Sequence, residues 1–351
     1  MSCKVSIIMP SLNVGDYIEK CLRSVSGQTL KEIEIIAVDA GSTDGTLETI
    51  EKIAKEDSRI KIVNSEIKSY GYQMNLGLKE AKGEYIGIVE TDDYVEPAMF
   101  EKLYEAAKAN DLDVIKSDFW FYFSKPAEKN DLYGLPKEFV NKKVFCPLKD
   151  FESPLSQSEF FNIKASIWSG IYKKSFIDEN KIDFNETPGA AFQDTGFNFK
   201  VWALAKRAML TSEAFLHYRQ DNEQSSVNSS SKAYSVCAEY EKIEEFILNS
   251  NLDDDEKRVL EGIMSRLMYD AYLWNYGRLV SPLNEEFIET EAKVFKEFKE
   301  KGYLQKEFFP EHKWKAINFW MEDPKEFVKA FEKQKNKKGF SKLLGKIKSK
   351  I

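Results

Sequence analysis

The chain has 351 residues, 42% of them hydrophobic, with 51 Lys and Arg against 58 Asp and Glu and a formal charge of −7. This much apolar residue in a chain of this length builds a large core and excludes a disordered protein. No run approaches 18 apolar residues, which excludes a membrane-spanning helix. Four scattered cysteines, with no CxxC spacing and no secretory signal ahead of them, point to a reducing compartment and a cytoplasmic location. Only His217 and His312 are available as histidine ligands, too few for a zinc site. Eight lysines and no acid between Lys333 and Ile351 leave the rest of the chain at −15, too acidic for a general binder of nucleic acid.

In chain order, Val5–Pro10 reads as a buried strand that Pro10 ends, because proline donates no ladder hydrogen bond. Tyr17, Ile18, Cys21, Leu22 and Val25 recur at helical spacing, so a helix follows. Glu34–Asp39 is a second strand ending in an acid, and Gly41–Gly45 is the turn that opens the next helix, marked by Leu47, Ile50, Ile53 and Ala54. A third strand spans 60–63, and Met74, Leu76, Leu78 and Ala81 mark another helix. The run Tyr85–Val89 is β-branched and short, bounded by Gly83 and by acids, and reads as a strand buried on both faces. Such alternation predicts a mainly parallel sheet with helices on both faces. A helix from Pro97 and a strand over Asp113–Asp118 continue it. Residues 125–159 carry proline, glycine and charge with little periodicity and read as an insertion or lid rather than core. Order returns at Ile167–Tyr172, and from Tyr234 to about Phe331 the spacing is helical.

In open α/β sheets, ligands gather beyond the carboxyl ends of the strands, where this chain delivers Glu90, Asp92 and Asp93. Adjacent carboxylates there repel one another unless a cation joins them, and hard oxygen ligands suit Mg²⁺ or Mn²⁺ bridged to phosphate. An Asp-Asp pair on its own is also a common helix-capping turn. The rest of the chain favours the first reading.

The stretches Val5–Asn13, Val38–Thr46 and Ala81–Ile86 running into Thr91-Asp92-Asp93 resemble the family 2 glycosyltransferases of the GT-A fold, over roughly the first 120 residues. The resemblance implies a Rossmann-like α/β domain, a nucleotide-sugar donor, commonly a uridine diphosphate sugar, a divalent metal, and inverting transfer to a hydroxyl of a glycan or lipid-linked glycan in bacterial surface polysaccharide or glycoconjugate synthesis. Carried over residue by residue, Pro10, Ser11 and Leu12 would form a wall of the nucleotide pocket, Asp39 would lie near the base or ribose, and Asn75 would match a family Asn near the phosphates. Asp92 and Asp93 match the metal and diphosphate motif. Thr187–Phe197 resembles the segment with the family's Glu-Asp pair, making Asp194 the candidate general base. His217 is a candidate for the ion and Arg219 for a phosphate, although a lone histidine after a strand is commonly a packing residue. Trp168 and Ser169 line the acceptor side or belong to the core.

Four positions depart from the family pattern. Ala40 stands where a second Asp is common, Leu12 where an aromatic is frequent, Met74 where an Arg precedes the Asn, and Gln193 where the pair has Glu. The first three bear on the nucleotide, not on the metal or base. The expected division is a nucleotide-sugar-binding half over 1–120, an acceptor-binding half over 121–233, a helical region over 234–332 and a basic tail over 333–351. Phe340, Leu343, Leu344, Ile347 and Ile351 with interleaved lysines form an amphipathic pattern, so 337–351 is expected either to lie on an anionic membrane at its inner face or to pack on the acidic body. The loops 133–154 and 220–226 are candidates to order over bound donor. Rival readings are a sugar-nucleotide nucleotidyltransferase, against which the absence of a glycine-rich loop after Pro10 counts, and a non-catalytic nucleotide-sugar-binding module.

Overall fold

The structure is a computed structural model that describes residues 3–140, 143–222 and 233–336. The chain divides into two compact units, one formed by Met1–Cys146 with Ser166–Val227 and the other by Pro147–Ala165 with Asn228–Ile351.

The first unit is built on a nine-stranded sheet. Strands β1 (Val5–Ser11), β2 (Ile33–Asp39), β3 (Ile60–Asn64) and β4 (Tyr85–Ile88) pair in parallel in the order β3-β2-β1-β4. The order continues through β8 (Gly170–Lys173), β6 (Val114–Phe123), β9 (Ala208–Arg219) and the two-residue β5 (Tyr94–Val95), with β7 (Lys129–Tyr133) added to β6. Because β8 lies antiparallel to both β4 and β6, strands β1, β2, β3, β4, β6 and β9 all run one way. β1 and β4 are buried along their whole length, as continuous β-branched runs in a sheet covered on both faces should be. Pro10 does not end β1: it pairs in register with Val38, and the strand closes one residue later.

Helices α1 (Ile18–Ser26), α2 (Thr46–Ala54), α3 (Tyr70–Glu80) and α4 (Met99–Ala109) connect the early strands. In α3, Gly71 is required by close approach, because a Cβ there would lie 1.9 Å from the Asn185 carbonyl oxygen. Position 74, where a phosphate-facing cation had been the family expectation, is fully buried in this chain, so Met74 packs the core. Position 40 is buried as well.

Residues 125–159 are not a lid lying outside the core. β7 pairs with β6 over five residues, and Phe139 and Phe145 are buried in the first unit. In the second unit, α6 (Pro154–Phe161), after the short α5 (Lys137–Val140) of the first, buries Phe160 and Phe161. The segment looked irregular because its elements are too short for any period to show. The rest of the second unit is helical: α9 (Ser235–Asn249), α10 (Asp254–Tyr276), α11 (Leu283–Lys301), α12 (Glu311–Glu322) and α13 (Pro324–Asn336), following α7 (Lys174–Glu179) and α8 (Gln193–Leu204) of the first unit. Asp253 and Glu256 form a reciprocal capping box at the start of α10. A buried ionic group joins Arg266 to Asp270 at 2.7 Å, with Lys313 2.8 Å from the same carboxylate. The expected lipid-facing segment 337–351 and residues 223–226 of the expected loop lie outside the described residues.

Candidate active site

Beyond the end of β4 the chain makes a turn that is pinned on both sides. The Thr91 hydroxyl donates to the Pro10 carbonyl at 2.8 Å, and the Asp93 amide donates to the Glu90 carbonyl at 3.0 Å. β5 then pairs with β9, which brings Arg219 to the turn. The Arg219 amide donates to Asp93 Oδ1 at 2.8 Å, and its Nε donates to the Asp92 carbonyl at 2.9 Å. Asp93 Oδ2 is buried without a hydrogen-bond partner. Burial, followed by the neighbouring Asp92 charge, holds the Asp93 carboxyl well above the usual carboxylate range. Asp92 is more open and accepts from Asn222 Nδ2 at 2.9 Å.

Asp194 lies in the first turn of α8, entered through Phe192 in a left-handed conformation at φ +64°. The residue before it organises the approach. Gln193 Nε2 donates to Thr187 Oγ1 at 2.8 Å and to the Gly189 carbonyl at 3.1 Å, while its Oε1 accepts the Ala191 amide at 2.5 Å. A glutamate, which the family pattern has here, has no N–H to give those two oxygens. The hydrogen bonds of this loop therefore call for an amide at position 193.

Helix α3 connects the two acidic turns. Ser69 Oγ donates to the Thr187 carbonyl at 2.7 Å, and the Tyr70 amide donates to the Gly189 carbonyl at 2.9 Å. The Tyr70 hydroxyl donates to Glu90 Oε1 at 2.5 Å. One residue thus touches both the segment leading to Asp194 and the acid two places before Asp92. Burial pushes the Glu90 carboxyl up to about 8, and the charges of Asp92 and Asp194 add to this against the Tyr70 hydrogen bond. Tyr218, on β9, is pushed up by burial and then by Asp93, Asp92, Asp194 and Glu90. These influences agree with the link that Tyr70 makes between the two acidic turns.

The other sequence candidates divide into rim and frame. Pro10 and Ser11 end β1 beside this turn and Leu12 follows them, and the buried Ser11 hydroxyl has no hydrogen-bond partner. Asp39 caps its own turn, accepting from the Gly41 and Ser42 amides at 2.8 and 2.9 Å, with Gly41 at φ +76°. Asn75 clasps the segment before Asp194, its amide donating to the Phe184 carbonyl and its Oδ1 accepting the Phe184 amide, each at 2.9 Å. Arg219 is a strap on the acidic turn: its guanidinium reaches Asp221 at 3.3 Å and lies between the rings of Tyr17 and Tyr122.

His217 does not join the carboxylates. Its Nδ1 is 2.7 Å from Asn130 Oδ1, its Nε2 is 2.8 Å from Glu96 Oε1, and its ring stacks on Tyr94 at 4.2 Å. Strand alternation explains this, since the face of β9 that presents Tyr218 to the acids turns His217 away. Trp168 and Ser169 are buried, with Trp168 packed against Phe119 and Tyr218. Tyr70, Tyr218 and Lys116 were not among the sequence candidates. Lys116 carried a faint signal, being a charge directly after the apolar pair Val114-Ile115 in an expected strand.

Residues 6–176 match the family described as Glycosyl transferase family 2. The chain is 32% identical over 217 residues to an uncharacterized glycosyltransferase, EpsJ, of Bacillus subtilis, covering 62% of this chain and 61% of that one, less than two thirds of its length. It is 31% identical over 228 residues to the glycosyltransferase GlyG of Streptococcus pneumoniae, covering 63% of this chain and 72% of that one. A crystal structure of S. aureus TarS residues 1–349 in complex with UDP-GlcNAc superposes with a TM-score of 0.67 at 18% identity over 90% of each chain, a likeness of fold. The sequence relatives and the shared GT-A fold agree: the chain belongs to glycosyl transferase family 2.

Proposed function

We propose that this glycosyltransferase moves a sugar from a nucleotide-sugar donor, a uridine diphosphate sugar, to a hydroxyl of a glycan or lipid-linked glycan with inversion, in bacterial surface polysaccharide or glycoconjugate synthesis. The observation that carries this is Tyr70 of α3, whose amide holds the Gly189 carbonyl ahead of Asp194 and whose hydroxyl holds Glu90 two places before Asp92, so that one residue joins the two acidic turns. Inversion asks for one base and one leaving-group site across a single sugar ring. In this reading Asp194 takes the proton of the acceptor hydroxyl as that oxygen bonds to the anomeric carbon, while the bond from that carbon to the diphosphate breaks. General-base help of this kind contributes roughly 10²- to 10⁴-fold.

A divalent cation fits the turn. Asp93 has a buried carboxylate oxygen with no partner beside the Asp92 carboxylate, an arrangement that favours a cation. Among the described residues no three acidic, histidine or cysteine side chains are grouped to hold an ion by themselves. Mg²⁺ and Mn²⁺ sites use one or two carboxylates together with phosphate oxygens, so Asp92 and Asp93 are the residues we assign. When bound, the ion supplies charge stabilisation for a departing diphosphate. Arg219 fixes the turn that carries both acids, and His217, with both ring nitrogens engaged, is withdrawn as a ligand. The Ser11 hydroxyl and Leu12 at the β1 end are assigned to the nucleotide wall. Asp39 and Asn75 are assigned to holding that pocket's turns, since their side chains serve the backbone beside it.

Nucleoside diphosphate release from a panel of nucleotide sugars with Mn²⁺ tests the reading. Asp194→Asn is expected to lose at least 100-fold in kcat with donor binding retained. Unchanged release in that variant would remove Asp194 from the reaction. Among the described residues no helix is long and apolar enough to cross a membrane. Peripheral attachment through 337–351 is part of the proposal, and deletion of that segment is expected to abolish co-sedimentation with anionic liposomes.

A further inference from the structure

Lys116 is 2% exposed, near the start of β6 and beneath α8. A buried ammonium is costly, and lysine is among the residues least often found fully inside. Its Nζ donates to Asn198 Oδ1 at 2.5 Å and lies 5.0 Å from the centre of the Trp202 ring. Those two residues are four apart on α8, and the residue four before Asn198 is Asp194. Helical periodicity therefore puts Asp194, Asn198 and Trp202 in one row, with the lysine beneath it. Gly170 of β8 packs directly on this part of β6, since a Cβ there would lie 2.1 Å from the Ile115 carbonyl oxygen and 3.0 Å from Lys116 Cγ.

We propose that Lys116 is the cationic partner of Asp194, a positioning residue that holds this carboxylate ionised and in place for proton abstraction. The inference rests on the reading of Asp194 as the base. The charge of Asp194 acts on several negative or ionisable groups: Glu90 at the end of β4, Tyr70 of α3 and Tyr218 of β9. Each of those, when charged, works against ionisation of a further acid in the same region. Lys116 of β6 is a cation held beneath the same helical row by its contact with Asn198. Burial draws the amine down to about 7, and the charge of Asp194 opposes that fall. Asn198 carries the contact: a neutral acceptor fixes the ammonium without neutralising it, which leaves its field for Asp194. A carboxylate at position 198 would take that field for itself.

The test follows both groups directly in the full chain, with ¹³C NMR of aspartate carboxyls and of lysine side chains across a pH titration. In Lys116→Met the Asp194 midpoint is expected to rise by about one pH unit, the effect of losing a nearby opposite charge. In Asp194→Asn the Lys116 midpoint is expected to fall by the same amount, because linkage is reciprocal. Asp194→Asn keeps the buried amine and removes only the carboxylate, so the Lys116 midpoint in that variant decides the matter if Lys116→Met does not fold. Unchanged midpoints in the folded variants would overturn the inference. This outcome is separable from failure of the base assignment, which is read from nucleoside diphosphate release by Asp194→Asn and does not depend on whether the two groups are coupled.

Discussion

Substituting Gln193 by glutamate restores the family's residue and, by the geometry here, weakens this protein. The side chain is 2% exposed, and its Nε2 donates to Thr187 Oγ1 and to the Gly189 carbonyl. Glutamate presents an oxygen to two oxygens. A buried polar group left without its partner costs about 1–3 kcal/mol. A protonated carboxyl restores one of the two bonds, so the loss at neutral pH is about 3 kcal/mol, or roughly 6–12 °C in Tm for a unit of this size. The sign with pH follows from linkage. A glutamate placed among oxygens has its folded-state pKa raised, so the stability its protonated form retains is present below the unfolded-state value near 4.3 and is lost as pH rises through the folded-state value. Gln193→Glu is therefore expected to approach the wild type at pH 5 and to fall away from it by pH 8. Gln193→Ala, which loses the bonds without adding charge, is expected to lose about 2 kcal/mol at both pH values. Urea unfolding at the two pH values measures this. A glutamate variant as stable as the wild type at pH 8 would refute the wiring assigned to this loop.

Three other perturbations follow from the same contacts. Tyr70→Phe removes the hydroxyl that joins α3 to Glu90 while keeping the ring, and is expected to lower kcat for nucleoside diphosphate release more than it raises KM for the donor. In the helical unit, burial raises the Asp270 carboxyl but Arg266 and Lys313 outweigh it and hold it below the usual range. Stability from this group is present above the unfolded-state value and lost as pH falls through the folded-state one. Arg266→Met is expected to cost about 1.5–3 kcal/mol at pH 7 and less at pH 3, read by denaturant titration, since it removes a charge-assisted contact while Lys313 still pairs with the buried carboxylate. His217→Gln is expected to leave Mn²⁺-dependent thermal stabilisation in the presence of UDP unchanged, whereas Asp93→Asn abolishes it; loss of the stabilisation in the histidine variant would return His217 to the ion.

What the sequence made legible was local. The apolar runs ending at Ser11, Asp39 and Glu90 are strands whose ends deliver polar residues, and the helical spacing after Tyr234 becomes five of the helices of the second unit. Partner choice over long separations was not legible. β8 is four residues long and inserts antiparallel between β4 and β6, a pairing that no local period announces. The second unit takes Pro147–Ala165 from the middle of the first, an exchange that no local pattern announces, and resumes at Asn228, close to where the helical spacing begins. At the site, adjacency along the chain was readable and direction was not. His217, Tyr218 and Arg219 are consecutive, yet only the middle one is turned to the carboxylates, and Arg219 acts on them through its backbone amide and as a strap. Asn75 and Gln193 were placed near the right chemistry. Their hydrogen bonds to backbone at 184 and 187–191 became visible only once the loop was folded.

The central claim is that the turn at Asp92–Asp93 grips a cation on the same side as Asp194. Anomalous diffraction from crystals grown with Mn²⁺ and UDP tests it most directly. The expected result is a manganese peak coordinated by the Asp92–Asp93 carboxylates and by diphosphate oxygens, with the Asp194 carboxylate facing the space beyond the terminal phosphate. A diphosphate bound elsewhere, or Asp194 turned from it, would contradict the account.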